Sequence, residues 1–287
     1  ALAGLTIAAG LGLALAPLHY GGRSAVTALR HLHPAWALAG WVGVLVVAVA
    51  FQVVPMFQLT PQYPRVAHRA LAPGLVAILG VATFAGDARA LQVCAWLTAC
   101  VFALFAGLTV TLQQRRKRKA PDAALDLWRL GLASLVVSVG VFALRPWLPP
   151  AWAPRVETFA AVAFLLGFAW PITVAMLSKI VPFLCWFHLQ ARLRGRGRAP
   201  HMGTYVAERD VRRLFRAHTV ALVLVLAAFL APTLHRPAWA LFAMEALLVQ
   251  ALVTRAAWRF RAAAQGSVAD ADVPGHARLR EHRDAGP

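Results

Sequence analysis

Residues 31–57 read HLHPAWALAGWVGVLVVAVAFQVVPMF, and this stretch decides what kind of protein the chain is. It contains no lysine, arginine, aspartate or glutamate. A helix that crosses a lipid bilayer needs about 20 mainly apolar residues, and this stretch has more than enough. It therefore predicts a membrane-spanning helix that begins beside two histidines and a proline.

The composition of the whole chain agrees with this interpretation. Hydrophobic residues make up 60% of the 287 residues and charged residues only 14%, whereas soluble domains have about 25% charged residues. Eight apolar segments are long enough to be considered as spans: 1–18, 35–59, 70–87, 91–112, 125–145, 157–190, 217–234 and 238–258. The sequence predicts an all-α, polytopic integral membrane helical bundle of about eight transmembrane helices.

The basic residues predict an orientation. The loops after the even-numbered segments carry Arg65 and Arg69, QQRRKRK at 113–119 and RLRGRGR at 192–198, and Arg255, Arg259 and Arg261 lie at the end of the last segment. Positive charge collects on the cytoplasmic side of membrane proteins. We therefore expect a multi-pass protein of the bacterial inner membrane, with these loops and the C-terminus in the cytoplasm. The net charge of +18 is explained by topology and contact with membrane lipids, and no nucleic-acid partner is expected.

Two parts of the chain are distinguished by composition. Residues 1–264 form the predicted helical bundle, and residues 265–287 form a polar cytoplasmic tail that we expect to be poorly ordered. The first apolar segment begins at Ala1, without a methionine or a basic leader. We therefore expect the bundle to be part of a longer chain whose N-terminal portion precedes these residues.

Two of the predicted spans resemble each other. Residues 40–55, GWVGVLVVAVAFQVVP, and residues 167–182, GFAWPITVAMLSKIVP, both begin with glycine and an aromatic residue and end in Val-Pro. Gln52 and Lys179 precede the two prolines by three residues and could bond the carbonyl groups that each proline leaves free. The similarity is explained either by an ancient repeat or by chance likeness between apolar helices.

Four histidines are predicted at the outer membrane surface, at the ends of three different segments: His19, His31, His33 and His235. Neutral imidazole is a good ligand for heme iron and for copper. His31 and His33 point in different directions if both are helical, so only one can face a shared interior. We prefer His33, with His19 or His235 as the opposite ligand. The alternative is that these side chains are structural anchors at the interface.

Glu245 is a carboxylate inside the last predicted span, about seven residues or ~10 Å from its outer end. Carboxylates within a span usually face a cavity or a partner. We expect either a role in binding a proton or cation, or an ion pair with Arg30, Arg155 or Arg236.

Residues 31–55 resemble the second helix of heme–copper oxidase catalytic subunits, in which His-x-His and an apolar run lead into Gly-Trp-Val. They are also similar to NnrS-type membrane proteins, whose pattern runs from His-x-His-Glu through Gly-Phe to Val-Pro. The resemblance implies that a histidine of this helix ligates a low-spin heme on the outer side. The sequence has no His-His pair, no His-Pro-Glu-Val-Tyr and no late His-x-His. A heme- or copper-binding relative without the full oxygen-reducing centre is therefore implied.

Three functions follow from these observations. The first is a heme- and copper-binding protein, an oxidoreductase if it is an enzyme, linked to respiration or nitric-oxide-related metabolism. The second is a secondary transporter in which Glu245, Gln52, Gln250 and the two proline-interrupted helices form a path. The third is a structural or assembly subunit of a respiratory complex, with other respiratory subunits or copies of itself as partners.

Overall fold

The computed structural model of the chain describes residues 2–18, 32–85, 87–193 and 199–271. Within these ranges all regular structure is helical, as predicted. The eight long helices are α1 (Leu2–Leu18), α2 (Leu32–Gln58), α3 (Arg65–Phe84), α4 (Ala88–Gln114), α5 (Ala123–Leu144), α6 (153–193), α7 (Glu208–Ala227) and α8 (His235–Ala271). Short 3-10 turns cover Arg145–Trp147, Pro150–Trp152, Met202–Thr204 and Pro232–Leu234.

Six helical segments are long and apolar enough to cross a membrane: Leu32–Gln58, Arg65–Phe84, Ala88–Gln114, Ala123–Trp147, Pro150–Leu193 and Pro232–Gln265. They confirm six of the predicted spans and make a multi-pass membrane bundle the architecture of the chain. The other two helices are shorter or more charged. The apolar helix α1 has only 17 residues, and the first half of α7 carries most of its charged side chains.

Two helices, α7 and α8, differ most from the prediction. The seventh span was expected at 217–234, but α7 covers Glu208–Ala227 and a 3-10 turn follows it. Glu208 and Asp210 lie in its first turn, where the helix dipole favours negative charge. At the C-terminus, α8 continues to Ala271 and takes in the first seven residues of the predicted tail. Residues 272–287 lie outside the described residues.

A short π-helical segment interrupts each of the two similar helices. Trp36–Gly43 in α2 and Ala163–Ala169 in α6 are both π-helical. Well under 1% of residues in proteins adopt this conformation. Both segments begin at positions 127 residues apart, and the same spacing separates three residue pairs: Gly4 and Gly131, Gly40 and Gly167, Pro55 and Pro182.

The equivalent glycines lie where equivalent helices cross. Helix α1 crosses α2 so closely that a Cβ on Gly4 would collide with the carbonyl oxygen of Gly40. Helix α5 crosses α6 less tightly: a Cβ on Gly131 would lie 3.0 Å from Cγ1 of Ile172, and one on Gly167 would lie 2.7 Å from Cβ of Ser134. The third helices also correspond, because α3 and α7 each have 20 residues.

These correspondences extend to how the third helix packs. Leu79 of α3 lies beside Gly40, and Leu222 of α7 lies beside Gly167. We therefore interpret the chain as two copies of a four-helix unit, α1–α4 and α5–α8, which favours the repeat over chance likeness. Helices α4 and α5 pack together where the units join, and the two π-helical segments touch each other.

The close crossing of α5 and α6 predicts how glycine substitutions affect stability. Gly167→Ala forces Ser134 to move, and we expect it to lower the free energy of unfolding by about 1–3 kcal/mol, as overpacking does. Gly107→Ala in α4 is the matched control, since a Cβ there meets nothing within 4 Å. Denaturant titration of both variants in detergent tests this, and equal stability of the two would contradict the crossing.

Candidate functional site

A cluster of three polar side chains lies between α6, α7 and α8, two of them fully buried and the third, Trp170, partly buried. His218 and Glu245 are both 0% exposed. Nδ1 of His218 lies 3.0 Å from Oε2 and 3.1 Å from Oε1 of Glu245. The indole Nε1–H of Trp170 donates a hydrogen bond of 2.8 Å to Oε1 of the same carboxylate. Two helices therefore hold the Glu245 carboxylate from different sides.

Helical periodicity places the two ionisable residues on buried faces. His218 belongs to a stripe of α7 that includes Val211, Leu214, Leu222 and Val225, all of them buried. The spacing of three and four residues puts these side chains on one face. Glu245 belongs to a similar stripe of α8 with Ala238, Val249, Leu252 and Ala256. A histidine and a glutamate thus occupy positions that are otherwise apolar.

Both residues lie deep within their helices. His218 is ten residues after the start of α7 and Glu245 ten residues after the start of α8, which is about 15 Å in each case. His218 is also nine residues before the end of α7, so the two residues are nearly equidistant from the turn that joins the antiparallel helices. That equal distance brings them to the same level.

One ring nitrogen of His218, Nδ1, has a hydrogen-bond partner, and the other, Nε2, is bare, that is, without a partner among the described residues. Because Nδ1 faces the carboxylate, a proton lies between them, and the contact sets the orientation of the ring. Nε2 of His218 is buried and has no hydrogen-bond partner among the described residues. A buried polar atom without a partner is uncommon in proteins and calls for an explanation such as a catalytic role, a water or an ion.

The first four-helix unit has apolar residues at the corresponding positions. Leu79 of α3 and Leu222 of α7 occupy equivalent positions in the two units. The same number of residues along the chain separates His218 from Leu75 and Glu245 from Phe102, so these residues are also equivalent. The 127-residue spacing between α2 and α6 makes Trp170 equivalent to Gly43. A Cβ on Gly43 would lie 2.5 Å from the Phe102 ring. Leu75 and Phe102 are fully buried. The fold is therefore stable with an apolar cluster at this place, and the polar cluster is particular to the second unit.

A second set of polar residues lies at the basic end of the second unit. Nζ of Lys179 lies 2.9 Å from Oδ1 of Asp122, at the start of α5. Arg212 of α7 forms ion pairs with Asp126 and Glu208, and Glu208 accepts a hydrogen bond from the backbone N–H of Ala123. These contacts tie α5, α6 and α7 together. Lys179 is thus held by a carboxylate.

The outer histidines are only partly described. The ring Nδ1 of His33 lies 2.8 Å from the carbonyl oxygen of Ala8, on α1. His235 is exposed at the start of α8. Helix α8 packs mainly on α6 and α7, whereas α2 packs mainly on α1 and α3 and meets α6 only through the two π-helical segments. The main contacts of α2 and α8 therefore do not bring His33 and His235 together. His19 and His31 lie outside the described residues.

Within the described ranges, no three His, Cys, Asp or Glu side chains are close enough to hold a metal ion. The described outer histidines do not fit a heme or copper ligand set by themselves. With His19 and His31 undescribed, the predicted outer site stays a prediction.

The candidate residue Glu245 lies at the centre of the buried cluster, with His218 as its partner. The expected ion pairs with Arg155 or Arg236 are not formed, and Arg30 lies outside the described residues.

Gln52 and Gln250, expected to line a path, are exposed. His218 lies in the middle of α7, because this helix begins earlier than the span expected at 217–234. Its contact with Glu245 is decided by how α7 and α8 pack together.

Comparison of the chain with known protein families, with curated proteins and with solved structures found no match. The function is therefore argued from the buried cluster and the repeat.

The buried pair predicts a characteristic pattern of stability. His218→Leu leaves the Glu245 carboxylate without its cationic or N–H partner, and removing one member of a buried pair costs about 3–5 kcal/mol. The double variant His218→Leu/Glu245→Leu removes both and should regain most of that loss, since apolar residues occupy these positions in the first unit. Unfolding of both variants in detergent measures the difference. If the double variant is no more stable than the single one, the two side chains do not form a coupled pair.

Proposed function

We propose that this chain is a proton-linked transporter of the bacterial inner membrane in which His218 and Glu245 bind the transported proton. The observation that carries the proposal is a fully buried ionisable pair, His218 and Glu245, that lies on otherwise apolar faces of α7 and α8 and leaves Nε2 of the histidine without a partner. Ionisable groups inside a membrane are energetically costly, and they commonly mark proton relays and ion pathways.

The chemistry of the cluster suits reversible proton binding. With neutral imidazole and ionised carboxylate the pair has a net charge of −1, and a proton added at Nε2 brings it to 0. The Trp170 N–H holds the carboxylate in both forms. The proton therefore enters and leaves at a defined atom, while the contact between Nδ1 and Glu245 is kept.

The repeat supports a carrier. Many secondary transporters are built from repeats, and parallel repeats are related by an axis along the membrane normal. In this chain the two π-helical segments touch each other where the units meet, and each of the two helices contains a proline further along, Pro55 and Pro182. π-helical turns and prolines are places where helices bend. The interface between the units can therefore open by bending α2 and α6.

The proposal includes an eight-span topology. Helices α1 and α7 complete the bundle beside the six long apolar segments, and the basic loops face the cytoplasm. The ion pairs of Asp122, Lys179 and Arg212 then lie at the cytoplasmic end of the second unit. His218 and Glu245 lie between that end and the outer surface.

Proton flux into liposomes tests this function. Purified protein is reconstituted with a pH-sensitive dye inside the vesicles, and a membrane potential is imposed with potassium and valinomycin. Glu245→Gln keeps an acceptor for Trp170 but removes the ionisable group, and we expect it to slow proton entry about 100-fold. Gln250→Leu, an exposed position of the same helix, should leave the rate unchanged. Equal rates for wild type and Glu245→Gln would contradict the proposal.

Heme or copper binding is a second candidate, and the bare nitrogen of His218 favours it. Proteins commonly orient a metal-bound histidine by pairing its other nitrogen with a carboxylate, as Glu245 does here. In this alternative His218 supplies one ligand, and a bound heme would supply redox chemistry.

Absorption spectra decide this second candidate. We expect a reduced-minus-oxidised heme signal in the purified protein that is lost in His218→Leu. If the signal is instead lost in His33→Ala or His235→Ala, the ligands are the outer histidines predicted from the sequence. A flat spectrum together with no copper by elemental analysis would rule out both metal sites and leave proton transport as the proposed function.

A further inference from the structure

The end of α8 exposes a surface that the proposed function does not use. Four side chains lie on one stripe of this helix at spacings of four, three and four residues: Leu247, Ala251, Thr254 and Trp258. All four are exposed, and Trp258 is 71% exposed. The stripe starts among apolar residues and ends among arginines, so its polarity changes along the helix.

A shallow, open surface cavity formed by α8 alone lies at the polar end of this stripe. It has a volume of about 260 Å³ and is lined by Thr254, Arg255, Trp258 and Arg259. Two arginines one helical turn apart therefore flank an exposed indole ring. Such a combination of basic and aromatic side chains is typical of the level where lipid headgroups meet water.

The two guanidinium groups have unused donors. Arg255 donates through Nε to the carbonyl oxygen of Ala251. Arg259 donates through Nη1 to the carbonyl oxygens of Thr204, at 2.9 Å, and Tyr205, at 3.2 Å. The remaining N–H groups of both side chains have no partner in the described part of the chain, and no described carboxylate forms an ion pair with either arginine.

We propose that this cavity binds the phosphate of an anionic phospholipid. The phosphate lies between Arg255 and Arg259, the Trp258 ring packs beside the glycerol region, and an acyl chain follows Ala251 and Leu247 toward the centre of the bilayer. Arginine binds phosphate through charge-assisted hydrogen bonds, which are among the strongest available in proteins. Basic pockets on the cytoplasmic side of membrane helices are known to bind such headgroups.

The apolar part of the stripe identifies the ligand as a lipid and not a soluble phosphate. Residues 247 to 258 cover about 16 Å of helix, which is close to half of the ~30 Å hydrocarbon core of a bilayer. One end of the stripe therefore suits a headgroup and the other an acyl chain in the same leaflet. The proposal uses the membrane orientation given above but does not depend on proton transport.

Lipid binding to the purified full chain tests the proposal. Native mass spectrometry measures the retention of phosphatidylglycerol and, separately, of phosphatidylcholine. Each arginine near an anionic lipid contributes about a fivefold gain in affinity. We expect Arg255→Gln to weaken phosphatidylglycerol binding about fivefold and Arg255→Gln/Arg259→Gln to weaken it about 30-fold, with phosphatidylcholine unaffected.

The chain offers a matched control. Arg65 and Arg69 are also exposed, one helical turn apart, at the start of α3. Arg65→Gln/Arg69→Gln removes the same charge and should leave phosphatidylglycerol binding within about twofold of wild type, since these residues do not line the cavity. If both double variants lose the same affinity, the effect is one of net charge and the site does not exist.

Two further measurements distinguish lipid binding from a disturbed loop and from binding of a soluble anion. Arg255→Gln keeps the bonds of Arg259 to Thr204 and Tyr205, so a fivefold loss in this folded single variant cannot come from a disturbed loop. Inorganic phosphate is the probe for a soluble anion. If inorganic phosphate at millimolar concentration displaces phosphatidylglycerol, the cavity recognises phosphate alone and the lipid proposal is overturned.

Discussion

The structure depends on the absence of water inside the bilayer. A backbone or side-chain polar group there must find its partner within the protein. Long helices meet this requirement for the backbone, and they are the only regular structure in the described residues. Where two helices must approach closely, as α1 and α2 do at Gly4 and Gly40, glycine replaces a side chain so that the backbones can touch.

The same constraint makes the buried polar cluster more costly than an apolar one. At equivalent places the first unit has Leu75 and Phe102 and the second has His218 and Glu245. An apolar pair is the less costly choice in a membrane, so the polar pair is not needed for packing. Duplication explains how such a cluster can arise, because one unit keeps the apolar contact while the other acquires ionisable groups. The first unit has no counterpart of the buried Nε2 of His218, which has no partner among the described residues.

Sequence reasoning predicted most of the helices but not the site. Apolar runs longer than about 20 residues leave few alternatives to a spanning helix, and the six long segments follow from them. The start of α7 was missed because its first half is charged, so the mid-helix position of His218 was missed with it. Glu245 was recognised because a lone carboxylate stands out in an apolar run. His218 was not recognised, because its partner is 27 residues away in a different helix.

The sequence by itself determined the all-helical class, the basic loops, the similarity between residues 40–55 and 167–182, and the presence of a carboxylate, Glu245, inside the last span. All of these depend on local composition and spacing, which act within one helix or one loop. Only the tertiary structure decided that the similar segments share π-helical turns and equivalent crossings, and that His218, Glu245 and Trp170 meet. Which helices are neighbours depends on how side chains of distant segments fit together, and no local pattern in the sequence records that fit.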